Sequence, residues 1–390
     1  MVTLDDVHLE LQEDAAERHL LLRASAKRFV NRPLQLKRVR SLRGQQPGYD
    51  KEVWRMFAEL GWLGTLVPEE FGGLGLECAD ISVIAEELAT ALLPEPLTAA
   101  VVFAGGCLAY GDNVDLKSEL LASLVQGNLI PAVAWREDAH ECDPLDISTR
   151  ADASHKGVKL YGIKRVVIAG ISADGLIVTA RAKDGLGLYW VPSAKIAGAI
   201  TYKEMPDGRA MADVVFDGIE VPREHFVASA PVAEVSLMRA FDEALIVTSA
   251  ELIGVCSAVL ELTLDYLRTR VQFGKHIGSF QALQHRVVDL YIRQRICRHS
   301  LDEVLAITQQ AGSAATKRSG QASRIKARCA DASLLITREA VQMHGAMGYS
   351  DECDVGLYLK RAITLSSWLG GSDVHRKRYA KVALSLAVVT

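Results

Sequence analysis

All eleven prolines of the chain lie at or before Pro231, and residues 232–390 contain none. Proline lacks a backbone donor, and its ring clashes with the preceding turn, so helix interiors exclude it. A proline-free, apolar-rich stretch of this length is expected to fold as packed helices, not as short strands and turns. Apolar spacing predicts helices over Ala240–Thr269, Phe280–Ala311, Ser323–Met343 and Val374–Ala387, together a four-helix bundle. Three glycine-bearing breaks interrupt them: Gln272–Gly278, His344–Gly348 and Leu369–Gly371.

Upstream, the texture changes twice. To about Gly127, helical spacing recurs over Asp14–Phe29, Asp50–Leu60, Ala79–Leu92 and Lys117–Val125. A loop dense in breakers, Val67-Pro68-Glu69-Glu70-Phe71-Gly72-Gly73-Leu74-Gly75, lies between them. From 128 to 231 the chain reads as short strands: Ile130–Trp135, Gly157–Tyr161, Arg165–Ala169, Gly175–Ala182, Gly187–Val191 and Asp213–Phe216. Such strands make a small antiparallel barrel or sandwich. The expected fold is α+β: an N-terminal helical domain (1–127), a middle β domain (128–231) and a C-terminal four-helix bundle (232–390).

Composition narrows the function. Hydrophobic residues at 49% and charged residues at 24% fit a soluble globular chain. A net charge of −4 argues against a nucleic-acid backbone as partner. The seven cysteines are scattered and never form a CxxC pair, so neither a metal site nor a disulfide framework is expected. The acidic start lacks a signal-peptide core. The longest uncharged run, Pro96–Gly111, is too short to span a membrane. A reducing cytoplasm is the expected compartment.

The first break reads Arg268-Thr269-Arg270-Val271-Gln272-Phe273-Gly274-Lys275-His276-Ile277-Gly278-Ser279-Phe280-Gln281-Ala282-Leu283-Gln284-His285. It is a helix end, a glycine-hinged turn and a new helix, with Ser279 as the expected N-cap. Backbone donors at a helix start, with Arg270 beside them, can hold an anion, and a guanidinium suits a pyrophosphate. From spacing alone, the commoner reading is a capped helix corner with a solvated arginine.

These residues carry a resemblance. Arg-x-x-Phe-Gly-x-x-Ile-x-x-Phe-Gln-x-x-Gln-His resembles the flavin-adenine segment of the acyl-CoA dehydrogenase family. The second break, Gln342-Met343-His344-Gly345-Ala346-Met347-Gly348-Tyr349 followed by Tyr358-Leu359-Lys360-Arg361-Ala362, is similar to another family stretch. The loop at Val67–Gly73 and the strand Val214-Val215-Phe216-Asp217-Gly218-Ile219-Glu220-Val221-Pro222 are a third and a fourth. All four occur in family order and cover nearly the whole chain. The resemblance implies α,β-dehydrogenation of an acyl-CoA thioester: a carboxylate takes the α proton while the β hydrogen leaves as hydride to FAD. It implies that Arg270, Gln272, Phe273, Ile277, Gln281, Gln342 and Gly345 contact the adenosine-diphosphate half of a neighbouring subunit's FAD. An oligomer and an electron acceptor such as an electron-transfer flavoprotein follow from it.

The chain departs from the family at three places. One usual base position is Leu369, in Trp368-Leu369-Gly370-Gly371. The alternative position on the long helix is Ala244, with Glu243 one residue early and so about 100° away around the helix. The family's flavin-holding tryptophan and hydroxyl positions are Val166 and Ile168, and its Thr-Glu-Pro stretch corresponds to Trp135–Pro144. The half-site for a neighbour's FAD is kept, while the chain's own flavin cradle and both base positions are not. This pattern resembles the partner chain of α2β2 acyl-CoA dehydrogenases that act on steroid-derived acyl-CoAs.

The candidate bases are Glu243 and Asp373, weighed against a helix-surface carboxylate and a first-turn residue facing the helix dipole. His344, His285, Lys164 and Cys353 read as structural. Three functions stay open: a heteromeric dehydrogenase subunit, a homomeric flavoenzyme with a relocated base, and a non-catalytic assembly module of the same fold.

Overall fold

The computed structural model describes residues 15–31, 35–138, 142–309 and 315–389. They form two compact units. One comprises Leu42–Ile81 and Pro94–Ala244; the other comprises 15–41, Ser82–Leu93 and Leu245 onward. The expected boundaries at 127/128 and 231/232 both lie within the first unit.

The N-terminal helices are α1 (Ala15–Val30), α2 (Gln35–Leu42), α3 (Lys51–Glu59), α4 (Cys78–Thr90), α5 (Gly105–Tyr110) and α6 (Val114–Val125). Asp50 caps α3, its side chain accepting from Glu52 N at 2.9 Å, and Asn113 caps α6 through Leu116 N at 3.1 Å. The uncharged run at 96–111 is a buried π-helical turn, Thr98–Ala104, leading into α5. Neither α2 nor this segment was expected: α2 is short and strongly charged, and the other is apolar on every face.

In the first unit, one eight-stranded sheet runs in the order β6-β7-β3-β2-β4-β5-β8, with β1 beside β4. The strands are β1 (Pro131–Ala134), β2 (Arg150–Ala153), β3 (Gly157–Ile168), β4 (Gly175–Ala182), β5 (Gly185–Pro192), β6 (Ile200–Glu204), β7 (Ala210–Pro222) and β8 (Phe226–Ala228). Pairing is antiparallel except β1–β4 and the short β2–β4 contact. Two expected runs merge into β3, which shifts register against β7 between Lys164 and Val167. Leu160, Leu176, Val178, Val191, Ala212 and Val214 fill the core on one face. Strands β2 and β6 are mostly polar and exposed, which hid them from a hydrophobic-pattern reading.

The proline-free region is helical: α7 (Val232–Thr269), α8 (Gln281–Gln309), α9 (Ala315–His344), α10 (Val355–Ser367) and α11 (Ser372–Val389). The four expected helices are present, and α10 lies between the third and fourth. Helix α7 is long and apolar enough to cross a membrane, but 72% of its apolar window is buried within the protein, as in a core helix. It begins in the first unit and ends in the second. In the second unit α9 packs against α8, α10 and α11. Arg361, 2% exposed, donates to Leu92 O at 2.9 Å and Leu93 O at 3.1 Å. Glu86 accepts from Arg298 and Arg23. These charged hydrogen bonds tie α4 to α1 and α8, and the turn after α4 to α10.

Candidate functional site

After α7 the chain makes a two-stranded hairpin, β9 (Val271–Gln272) against β10 (Lys275–His276). Phe273 and Gly274 form its tip, both at positive φ (53° and 79°). Phe273 is 91% exposed and meets Phe280 edge-on at 6.2 Å. Arg270, Gln272 and Gln281 are exposed, and Ile277 is half-buried. The Arg270 side chain has no ion-pair partner among the described residues. Ser279 does not cap α8: its hydroxyl donates to His276 O at 2.7 Å. Phe280 O receives Leu283 N and Gln284 N instead, so Phe280 takes the cap position. The serine is held by the 3₁₀ turn Ile277–Ser279, which displaces the helix start by one residue.

The second break lies against the end of α7. His344 stacks on Tyr266 with ring centroids 4.3 Å apart, and the Tyr266 hydroxyl donates to His344 O at 3.4 Å. His344 Nδ1 bonds Ala340 O at 2.8 Å, and burial pushes the imidazole down from its usual value. The ring is therefore a neutral clamp between the ends of α7 and α9. Gln342 and Gly345 are exposed next to it. A Cβ at Gly348 would stand 2.5 Å from Val341 O, so only glycine fits. Of the seven residues expected to meet an adenosine diphosphate, six are exposed and Ile277 is half-buried. An unpaired guanidinium, an exposed aromatic ring and amide side chains suit such a group.

The cleft beside β3, in the first unit, is different. It is a cavity of about 410 Å³ lined by Trp135, Arg136, Glu137, Asp138, Arg165 and neighbouring residues. Beneath it Lys164 is fully buried, and its Nζ donates to Glu137 Oε1 at 2.6 Å, Thr179 Oγ1 at 2.8 Å and Trp135 O at 3.2 Å. Burial pushes the lysine down to about 8, against the pull of Glu137. For Glu137, burial pushes upward, but Lys164 and Thr149 together outweigh it and the carboxyl is lowered. Glu137 also accepts Ser148 N and Thr149 N. Val166 sits at φ 54°, strained for a β-branched residue, and its N–H donates to Asp213 Oδ1 at 3.1 Å. Ile168 is buried. The two family positions that hold the isoalloxazine thus offer no stacking ring, no hydroxyl and, at 166, no free N–H. Residues 139–141 of the corresponding Thr-Glu-Pro stretch lie outside the described residues.

The base candidates stand in separate units. Glu243, on α7, accepts the Tyr110 hydroxyl at 2.8 Å on both oxygens and Arg239 Nε at 3.2 Å. The Arg239 guanidinium lies 4.0 Å from the Tyr110 ring centroid. Burial and then the Glu243 charge push the Tyr110 phenol well up. Ala244 is fully buried. In the second unit Leu369 is fully buried at φ 59°, and Gly370 follows at 109°. His375 meets Leu369 O at 3.0 Å, while buried Lys326 donates to Ser366 O and Gly370 O, both at 3.1 Å. Burial, then Lys326 and Arg378, push His375 down to about 3. Asp373, its side chain 86% exposed, pairs with Arg376 at 2.9 Å. His285 is exposed. Tyr110, Tyr266, Lys326 and His375 were not legible in the sequence, because each acts on a partner distant in the chain or through backbone carbonyls, whereas Arg239 stands at i,i+4 spacing from Glu243.

Residues 16–128 match the family model described as acyl-CoA dehydrogenase, N-terminal domain, and residues 235–384 match acyl-CoA dehydrogenase, C-terminal domain. Acyl-CoA dehydrogenase IpdE2 of Mycolicibacterium smegmatis is 30% identical over 357 residues, covering 91% of this chain and 95% of the relative. A solved variant of the Tcur3481-Tcur3483 steroid ACAD superposes with a TM-score of 0.86 at 26% identity, over 96% of this chain and 99% of that one. The ChsE4-ChsE5 complex from Mycobacterium tuberculosis gives 0.83 at 24% identity, over 94% and 96%, a likeness of fold.

Proposed function

Because the chain belongs to the acyl-CoA dehydrogenase family of FAD-dependent oxidoreductases, we propose that it serves as one chain of a heteromer. The partner is a second acyl-CoA dehydrogenase-like chain, and the assembly dehydrogenates an acyl-CoA thioester. The carrying observation is the asymmetry between the FAD-related positions: Arg270, Gln272, Phe273, Gln281, Gln342 and Gly345 are exposed, while Val166 and Ile168 on β3 and both base positions lack the needed groups. When bound, FAD supplies the hydride acceptor for the substrate's β carbon. Arg270 would balance the pyrophosphate charge. Phe273 would give the adenine a ring to stack on, with Gln272, Gln281 and Gln342 as hydrogen-bond partners. Ala244 and Leu369 carry no proton acceptor, so the partner provides the base for the α proton. Asp373 and Glu243 keep structural roles in this reading, beside Arg376 and Tyr110. The likeness to a steroid ACAD favours a steroid-derived acyl group. An electron-transfer flavoprotein is the proposed acceptor, and the cytoplasm the proposed compartment.

The test is to purify the chain alone and co-expressed with an adjacent acyl-CoA dehydrogenase-like chain, then to record visible absorbance and acyl-CoA oxidation. Flavin and turnover should come only with the partner. Full loading and turnover from the chain alone would overturn the heteromer and favour a homomer with a relocated base. Colourless protein in both preparations would leave the assembly-module reading.

A further inference from the structure

A second cavity, of about 430 Å³, lies within the C-terminal unit among α8, α9 and α11, apart from the residues used above for FAD. Cys297 forms part of its wall, with Arg293, Arg324, Arg328, Arg376 and His375 around it. Among the described residues, Asp331 is the only acidic side chain of the lining. Arg376 is held by Asp331 and Asp373, and Arg324 by Glu303 at 2.9 Å. Arg293 and Arg328 are exposed and have no ion-pair partner among the described residues. His375 is 1% exposed, and its Nδ1 makes no hydrogen bond among them. The cavity therefore has a net positive wall and a buried polar nitrogen left over, which together suit an anionic ligand.

The thiol is not isolated. Cys329 hydrogen-bonds to Cys297, and this bond, against burial, together with Arg328 and Arg293, holds the Cys297 thiol below its usual value. The buried neighbours Cys256 and Cys329 are pushed well up by burial, so they stay protonated. Cys297 is itself 3% exposed, with Sγ 4.0 Å from Arg328 O, and of the three thiols it is the one on the cavity wall.

We propose that this cavity is a thiol-modification site for a small anionic disulfide, whose charged groups the arginines hold while Cys297 exchanges with its sulfur. The Cys297 thiolate attacks one sulfur of the disulfide. A new S–S bond joins that half to the protein, the original S–S bond breaks, and the other half leaves as a thiolate that takes a proton from water. The site stands whether or not the heteromer reading holds.

The experiment treats the full chain at pH 7 with glutathione disulfide, which carries carboxylates, with coenzyme A disulfide, which carries phosphates, and with cationic cystamine. Intact mass and peptide mapping follow the adducts in time. Cys297 should react with an anionic disulfide at least about tenfold faster than with cystamine. Reaction with one anionic reagent and not the other identifies carboxylate or phosphate as the recognised group. Arg328→Gln, on the surface, should shrink the ratio severalfold without unfolding the chain, and Cys297→Ser should remove the α8 adduct. Cystamine reacting at Cys297 as fast as the anions would overturn the proposal. So would modification of the half-exposed Cys78 or Cys353 ahead of Cys297.

Discussion

The cleft beside β3 and the hairpin face after α7 are both rich in polar groups, yet they use them in opposite directions. In the cleft, Glu137 binds Lys164 and two backbone N–H groups, and Asp213 binds Val166 N, Arg165 and Lys203. These charged groups satisfy one another, and Thr149 Oγ1 is left over. On the hairpin face, Arg270, Gln272, Gln281 and Gln342 point to solvent, and an exposed phenylalanine holds the tip at a positive φ. A buried polar group must find its partner within the fold, whereas a polar group kept outside is available to a ligand. Polarity alone therefore does not mark a binding site; unmet polarity does.

That contrast can be broken by mutation. Replacing Glu137 with Gln leaves Lys164 buried without its counter-charge, so the chain should lose about 3 kcal/mol of stability. Thermal unfolding reads this, and an unchanged melt would show that Lys164 does not depend on the pair. Arg270→Gln should do the reverse. It should weaken FAD retention in the assembled complex by about 10–100-fold, the loss of a charged hydrogen bond worth about 1.5–3 kcal/mol. The melt of the chain alone should stay within about 0.5 kcal/mol. Retained flavin would remove Arg270 from the nucleotide face.

The third effect is a pH dependence. His375 is neutral when folded, with its value near 3, and takes a proton near 6.5 when unfolded. Between those values the unfolded chain binds more protons, so stability falls as pH drops from 6.5 toward 3. His375→Gln should flatten that part of the acid limb in a series of melts, and an unaltered slope would assign it to other groups. Phe273→Gly is the smallest. Relief of the left-handed backbone, about 1 kcal/mol, is partly offset by the greater freedom of glycine when unfolded. The melt should stay level or rise slightly while flavin retention drops. A lower melting point would mean that Phe273 serves the fold.

The helices of the C-terminal region were legible because each keeps an apolar stripe over many turns. Helix α10 was not legible because its start, Val355, follows a run of breakers. The hairpin residues were legible as a pattern, but their exposure was not, since exposure depends on what packs nearby. The Ser279 cap failed because a 3₁₀ turn intervened, which spacing does not reveal. Glu243 could be placed one residue from a base position. Its partner Tyr110 is 133 residues away, a contact no local pattern carries.

The turn around Leu369 is shaped by its neighbours. Lys326 and His375, from two other helices, grip the carbonyls of Ser366, Leu369 and Gly370, and none of those bonds involves the side chain at 369. The backbone there works like a machined socket that accepts interchangeable fittings. An engineer wishing to install a carboxylate in this chain would begin at this position, where the mount is already cut and only the insert is apolar.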